Sequence, residues 1–260
     1  MFKDKVNHIH IMTFYLPESM GWGNVALCLS DLVYRSPKPR VYKSLLEVDR
    51  GVEFEGFEIT DDQSEEKFEP RIAINPGYFQ HVHSNLNKII KPTKELQTIL
   101  DKYKDWLPHG LKYGMHIRRG ACSNDSKDIG CHGKDENGNI KPAYFAKDSA
   151  LEKFIKIVED IEGKIFLASD SREIKDVFKK RFPDKIVTLE HDIVLTYKCD
   201  TLKNYDVTRD QRLACYIDWF LLASCQELFI TAGNRDMTDL STFGYSAGAY
   251  GRSNIHLISN

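Results

Sequence analysis

Two adjacent arginines and a glycine, Arg118-Arg119-Gly120, close an apolar run from Leu111 to Ile117. Guanidinium groups are rigid, forked donors that match the oxygens of a phosphate. In open α/β sheets the ligand crevice lies where strand ends pass into loops. Placed there, the pair points to an anionic ligand, a diphosphate first of all. For an isolated Arg-Arg pair, a solvated strand end with one surface ion pair is the better reading, so the case rests on other segments. His116 precedes Arg118 by two residues and shares its strand face. It can bond a sugar or phosphate, or be satisfied in the interior.

Three further segments carry such groups. Gly21-Trp22-Gly23-Asn24 precedes an apolar helical stretch. Its glycines permit close backbone approach, and a helix start favours anions. A tight turn with Asn24 as helix cap is the simpler alternative. Asp170 follows an apolar run and can accept hydrogen bonds from a ribose or nucleobase, or cap the next helix. Ser241-Thr242-Phe243-Gly244 opens a segment of small residues, where amides and hydroxyls suit a phosphate. There the alternative is plain N-capping by Ser241.

Other chemistries find little support. His8 and His10, and His81 and His83, form pairs on strand faces, but no further metal ligands accompany them, so no metal site is expected. Lys134 to Asn139 is acidic and turn-rich without EF-hand spacing. No complete GxGxxG and no GxxxxGK is present, and no compelling nucleophile–base pattern is found. The six cysteines include no CxxC pair. Cys215 and Cys225 read as buried thiols. Cys122 and Cys131 flank a polar loop and could pair, although reduced thiols are favoured.

The elements that must position these groups follow from periodicity. Strands are expected at Leu111–Arg118, Lys164–Ser169, Ile186–Leu189, Leu228–Thr231 and Ile255–Ile258. Helices are expected from Pro142 to Glu162, from a capping box at Asp170-Ser-Arg-Glu173 to Arg181, at Arg209–Ala223 and at Ser241–Tyr250. Gly120 to Ile140 reads as a loop. This alternation implies βαβ units and a mainly parallel sheet. Right-handed crossovers bring Arg118, Asp170 and the 233–241 segment to one edge. In the first half, His8–Phe14 and Arg71–Ile74 read as strands, and Asn24–Tyr34 and Pro92–Trp106 as helices. Glu53–Glu69 reads as an acidic loop. A smaller N-terminal α/β domain, 1–108, would face a C-terminal domain, 109–260, across a cleft.

Composition sets outer bounds. The 260 residues are 42% hydrophobic, enough for a sizeable core. A net charge of -2 gives no global signal for nucleic acid. No apolar window of about 18 residues occurs, so no membrane span is expected. A cytoplasmic protein is the simplest expectation.

In order and spacing, these segments resemble the fucosyltransferase superfamily of GT-B architecture. Gly21-Trp-Gly-Asn24 is similar to its GxGN segment and His116-Ile-Arg-Arg-Gly120 to its HxRRG motif. Phe166–Asp170 is similar to the second motif, and Leu228–Thr231 with Ser241–Tyr245 to the third. The resemblance implies two Rossmann-like domains facing a cleft. It implies an inverting, metal-independent transfer, most often of fucose from GDP-fucose, to a carbohydrate acceptor. Arg118 would hold the diphosphate and stabilise leaving-group charge, with Arg119 assisting or holding the loop. Asp170 would contact the nucleoside, and Ser241, Thr242 and Phe243 would line the phosphate and base pocket. Gly21, Gly23 and Asn24 would approach from the other domain.

Two departures stand out. Many relatives carry Asp after HxRRG, where this chain has Ala121; Asp125 or Asp128 could compensate. Asn234–Asp239 lengthens the third motif. Candidates for the general base are Glu18, Asp125 and His132, with none singled out. Competing readings are the same fold with another GDP-sugar or UDP-xylose, and a non-catalytic nucleotide- or glycan-binding module.

Overall fold

The computed structural model describes residues 13–14, 21–35, 39–42, 51–60, 67–68, 85–104, 111–119, 146–191, 209–233 and 240–260. In chain order, the first half contains β1 (Thr13–Phe14), α1 (Trp22–Arg35), β2 (Arg40–Tyr42), β3 (Val52–Phe54), β4 (Glu58–Thr60), β5 (Lys67–Phe68), α2 (Leu86–Ile89), β6 (Ile90–Pro92) and α3 (Lys94–Lys104). The second half contains β7 (Tyr113–Ile117), α4 (Asp148–Asp160), β8 (Ile165–Ser169), α5 (Arg172–Arg181), β9 (Ile186–Val187), α6 (Arg209–Ala223), β10 (Glu227–Thr231), α7 (Thr242–Gly251) and β11 (Asn254–Ile258).

The second half forms a five-stranded, wholly parallel sheet in the order β11-β10-β7-β8-β9. Helices cover both faces, which explains why β7 and β8 read as continuous apolar runs. On one face, Met115, Ile117, Ile165 and Leu167 pack with Phe154, Val158, Ile174 and Phe178 from α4 and α5. On the other, Phe166, Ala168, Leu228 and Ile230 pack with Trp219, Leu222 and Ala247 from α6 and α7. Strand β7 lies beside both β8, next in sequence, and β10, reached later. The order therefore reverses between β7 and β10, and the crevice outside their carboxyl ends is a topological switch point.

The first half gives a four-stranded parallel sheet, β4-β2-β1-β5, and an antiparallel pair, β3-β6. Here the acidic-loop expectation for Glu53–Glu69 is corrected: β3, β4 and β5 occupy much of that stretch. Glu53 and Glu58 of β3 and β4 are exposed, while Val52 and Phe54 pack against the core. Net polarity masked a short alternation.

Helix α1 joins the two halves. Its Trp22 meets Trp219 and Tyr216 of α6 edge-on, at ring-centroid distances of 5.6 and 5.0 Å. Val25, Ala26 and Leu29 belong to the same apolar cluster as α6 and α7.

Several boundaries differ from expectation. The helix expected from Pro142 begins at Asp148, after Ala146 is drawn back to the end of β7 by an N–H bond to the Arg118 carbonyl, 2.7 Å. Ser171, not Asp170, caps α5, its hydroxyl accepting the Ile174 N–H. Thr93 caps α3, accepting the Leu96 N–H at 3.2 Å. Cys225 is buried as expected and Cys215 half-buried. The expected strand at 71–74, most of that at 8–14, Trp106, and Cys122 and Cys131 lie outside the described residues. Among the described residues no helix is long and apolar enough to cross a membrane.

Gly23 faces the first turn of α7 directly. A Cβ placed on it would lie 2.4 Å from the Phe243 nitrogen and 2.5 Å from the Thr242 carbonyl oxygen. Backbone cannot yield as a flexible side-chain tip does, so Gly23→Ala should push the helices apart. We expect a loss of about 1–3 kcal/mol from overpacking, read as a lower urea midpoint. An unchanged midpoint would contradict so close an abutment.

Candidate functional site

At the switch point the chain ends its two central strands with a closed hydrogen-bond circuit. The Thr231 hydroxyl accepts the Arg118 N–H at 3.1 Å and donates to the His116 carbonyl at 3.3 Å. The Thr231 carbonyl in turn accepts the Ser241 N–H at 2.9 Å. Arg118, at the tip of β7, is thus tied to the residue that opens α7. With its carbonyl held by Ala146, both backbone polar groups of Arg118 are fixed, and its side chain leaves from a rigid base. Thr231 went unnoticed in the sequence. Its signal was a polar residue closing the apolar run Leu228-Phe-Ile.

Ser241 is not the side-chain cap that one sequence reading made it. Its hydroxyl lies 2.9 Å from His116 Nδ1 and makes no cap hydrogen bond. Among the described residues no side chain caps the start of α7, so its first amides stand as open donors there. His116 packs against Phe243 at a centroid distance of 5.0 Å. A Cβ on Gly244 would lie 3.0 Å from the His116 ring nitrogen Nδ1, so this glycine permits the packing. Burial, with the positive charges of Arg118 and Lys175, pushes the His116 pKa down to about 3. The imidazole is neutral at physiological pH and serves as a hydrogen-bonding group, not a cation.

The first turn of helix α1 meets this region. Its first intrahelical bond runs from the Val25 N–H to the Gly21 carbonyl, 3.1 Å. Gly21 is therefore the cap residue, and Asn24 lies within the first turn, correcting its reading as a cap. The Asn24 side-chain oxygen is buried and has no hydrogen-bond partner among the described residues. Two helix starts abut at Gly23 beside the Arg118 frame. Such termini carry partial positive charge.

Arg119 is engaged elsewhere. Its backbone N–H donates to Asp170 Oδ1 at 2.7 Å. Its guanidinium donates to the Ala146 carbonyl and to Asp148, both at 2.6 Å. Arg119 thus fastens the end of β7 to the start of α4, and Asp170 fixes its backbone. Of the sequence-predicted residues, Gly21, Gly23, Asn24, His116, Arg118, Arg119, Asp170, Ser241, Thr242 and Phe243 fall at this sheet edge or on the helix starts against it. The base candidates Glu18, Asp125 and His132 lie outside the described residues, as do both histidine pairs. Among the described residues no group of three or more His, Cys, Asp or Glu side chains is placed to hold a metal ion.

No protein-family profile and no curated protein matches the sequence. Solved structures do match in fold. NodZ alpha-1,6-fucosyltransferase soaked with GDP-fucose is 12% identical, with a TM-score of 0.54 over 92% of each chain. The same enzyme co-crystallized with GDP is 12% identical, with a TM-score of 0.53 over 91% of each chain. Fucosyltransferase NodZ from Bradyrhizobium gives 12% and 0.52, again over 91% of each. This chain has the NodZ fold. The α/β, GT-B-like class read from the sequence agrees with it.

The neutrality of His116 has a pH consequence. Its folded-state pKa lies below the ordinary 6.5. The unfolded chain therefore takes up a proton that the folded chain refuses. This contribution to stability is present above pH 6.5 and is lost as pH falls toward 3. Urea unfolding at pH 7 and pH 4 should show a steeper acid loss for the wild type than for His116→Asn. Parallel losses would contradict a buried neutral imidazole.

Proposed function

We propose that this chain is an inverting, metal-independent glycosyltransferase that moves L-fucose from GDP-fucose to a glycan or glycoconjugate. The observation that carries the reading is the convergence of Arg118 and the starts of α1 and α7 at the switch point of a NodZ-like fold. Breaking a sugar–phosphate bond leaves a nucleoside diphosphate with growing negative charge. Fixed donors aimed at that charge lower the barrier without reorganising during the reaction.

In this reading the C-terminal part, 109–260, binds the donor, and 1–108 carries the acceptor side. Arg118 binds the diphosphate and stabilises the departing charge. The amides of Thr242, Phe243 and Gly244, with those of α1 across Gly23, bind the remaining phosphate oxygens. His116, with Nδ1 held by Ser241, offers Nε2 to the donor. Arg119 positions Arg118. An acceptor hydroxyl oxygen attacks the anomeric carbon, the bond from that carbon to the β-phosphate oxygen breaks, and GDP departs. The hydroxyl proton passes to a general base. A single displacement inverts the anomeric centre.

Two measurements test this. GDP and GDP-fucose should raise the melting temperature equally with and without EDTA; failure of both to bind would sink the reading. Arg118→Ala should reduce GDP-fucose turnover on the order of a hundredfold, about 3 kcal/mol in the transition state, while the fold persists. Near-wild-type turnover would remove Arg118 from its role.

A further inference from the structure

The site described above leaves one buried charged cluster unused. Lys175, in the first turn of α5, and Asp218, within α6, are each more than nine-tenths buried. The Lys175 ammonium lies 3.6 Å from Asp218 Oδ2 and 3.4 Å from the Leu189 carbonyl. His191 Nε2 lies 3.2 Å from the same Asp218 oxygen.

The cluster sits at the ligand edge of the sheet. Helix α5 packs its Ile174 and Phe178 on one sheet face, whereas Leu189 and the α6 residues flanking Asp218 pack on the other. Strand β9 stops at Val187, opposite Phe166, short of the end of β8. Lys175 reaches from α5 to Asp218 of α6 and to the Leu189 carbonyl, two residues past the end of β9. Its charge acts on His116 strongly enough to help keep that ring neutral.

Hydrogen bonding in the cluster is incomplete. An ammonium has three donors, and Lys175 has two long contacts and no third partner among the described residues. Asp218 Oδ1 is buried with no partner among them. A buried donor and a buried acceptor left unsatisfied side by side are costly unless a ligand completes them. Because the two charges largely cancel, the pair suits a neutral, polar group rather than the diphosphate. Keto bases such as guanine and uracil carry a carbonyl acceptor next to an N–H donor. Adenine presents the reverse.

We propose that Lys175, anchored by Asp218, is a specificity-determining residue of the donor site. Its ammonium donates to the carbonyl oxygen of a keto nucleobase and so favours guanine or uracil nucleotides over adenine ones. This rests on the nucleotide-sugar reading above.

The test is titration calorimetry of the full chain with GDP, UDP and ADP. Wild type should bind GDP or UDP at least tenfold more tightly than ADP. Lys175→Met should shrink that ratio by roughly tenfold to a hundredfold, the worth of one charged hydrogen bond. Lys175→Met/Asp218→Asn leaves no unpaired buried charge, so it keeps the test open if the single variant does not fold. Arg118→Ala should weaken all three nucleotides alike and leave the ratio intact. An unchanged ratio in a folded Lys175 variant, or no keto preference in wild type, overturns the role of Lys175 while nucleotide binding stands. Binding of none of the three overturns the nucleotide-sugar reading as well.

Discussion

Backbone touches backbone where the first turn of α1 meets the first turn of α7, and only the missing side chain at Gly23 allows it. Much of the candidate site depends on this contact. It brings the start of a helix from the first half of the chain against the start of a helix that follows β10. It also sums two positive helix termini at one place. Trp22, beside that glycine, locks the approach by inserting its ring among Tyr216, Trp219 and Phe54. The glycine permits the distance, and the tryptophan fixes the angle.

Around that contact the polar groups divide their labour. Thr231 joins the tips of β7 and β10 and hands its carbonyl to Ser241, so strand end and helix start move as one unit. Arg119 and Asp170 hold the other side of the β7 tip. Arg118 is left at the centre, its backbone fixed on both sides. A donor whose base is rigid loses little freedom when it meets a charge, and this is how preorganised electrostatics become effective. The adjacent arginines have different surroundings, which their adjacency in sequence conceals.

Much of this was readable from residue order. The alternation of apolar strands with amphipathic helices from Leu111 onward defined the parallel sheet, because both faces are covered and each strand is nearly all apolar. The right-handed crossover then put Arg118, Asp170 and Ser241 on one edge. The first half was less legible. Its strands are two or three residues long, too short for period-two alternation to rise above the acidic residues between them. Within the site, long-range pairings could not be read from local pattern. Ser241 bonds a histidine 125 positions away instead of capping its own helix. Asp218 is a lone carboxylate among Tyr216, Ile217, Trp219 and Phe220, and that interruption of an apolar helix was the available signal for the buried cluster.

The most direct test of this donor site is a crystal structure of this chain grown with GDP. The diphosphate should lie at the β7–β10 switch point, within hydrogen-bonding distance of the Arg118 guanidinium and of the Phe243 and Gly244 amides. The nucleotide bound elsewhere, with those groups untouched, would contradict it.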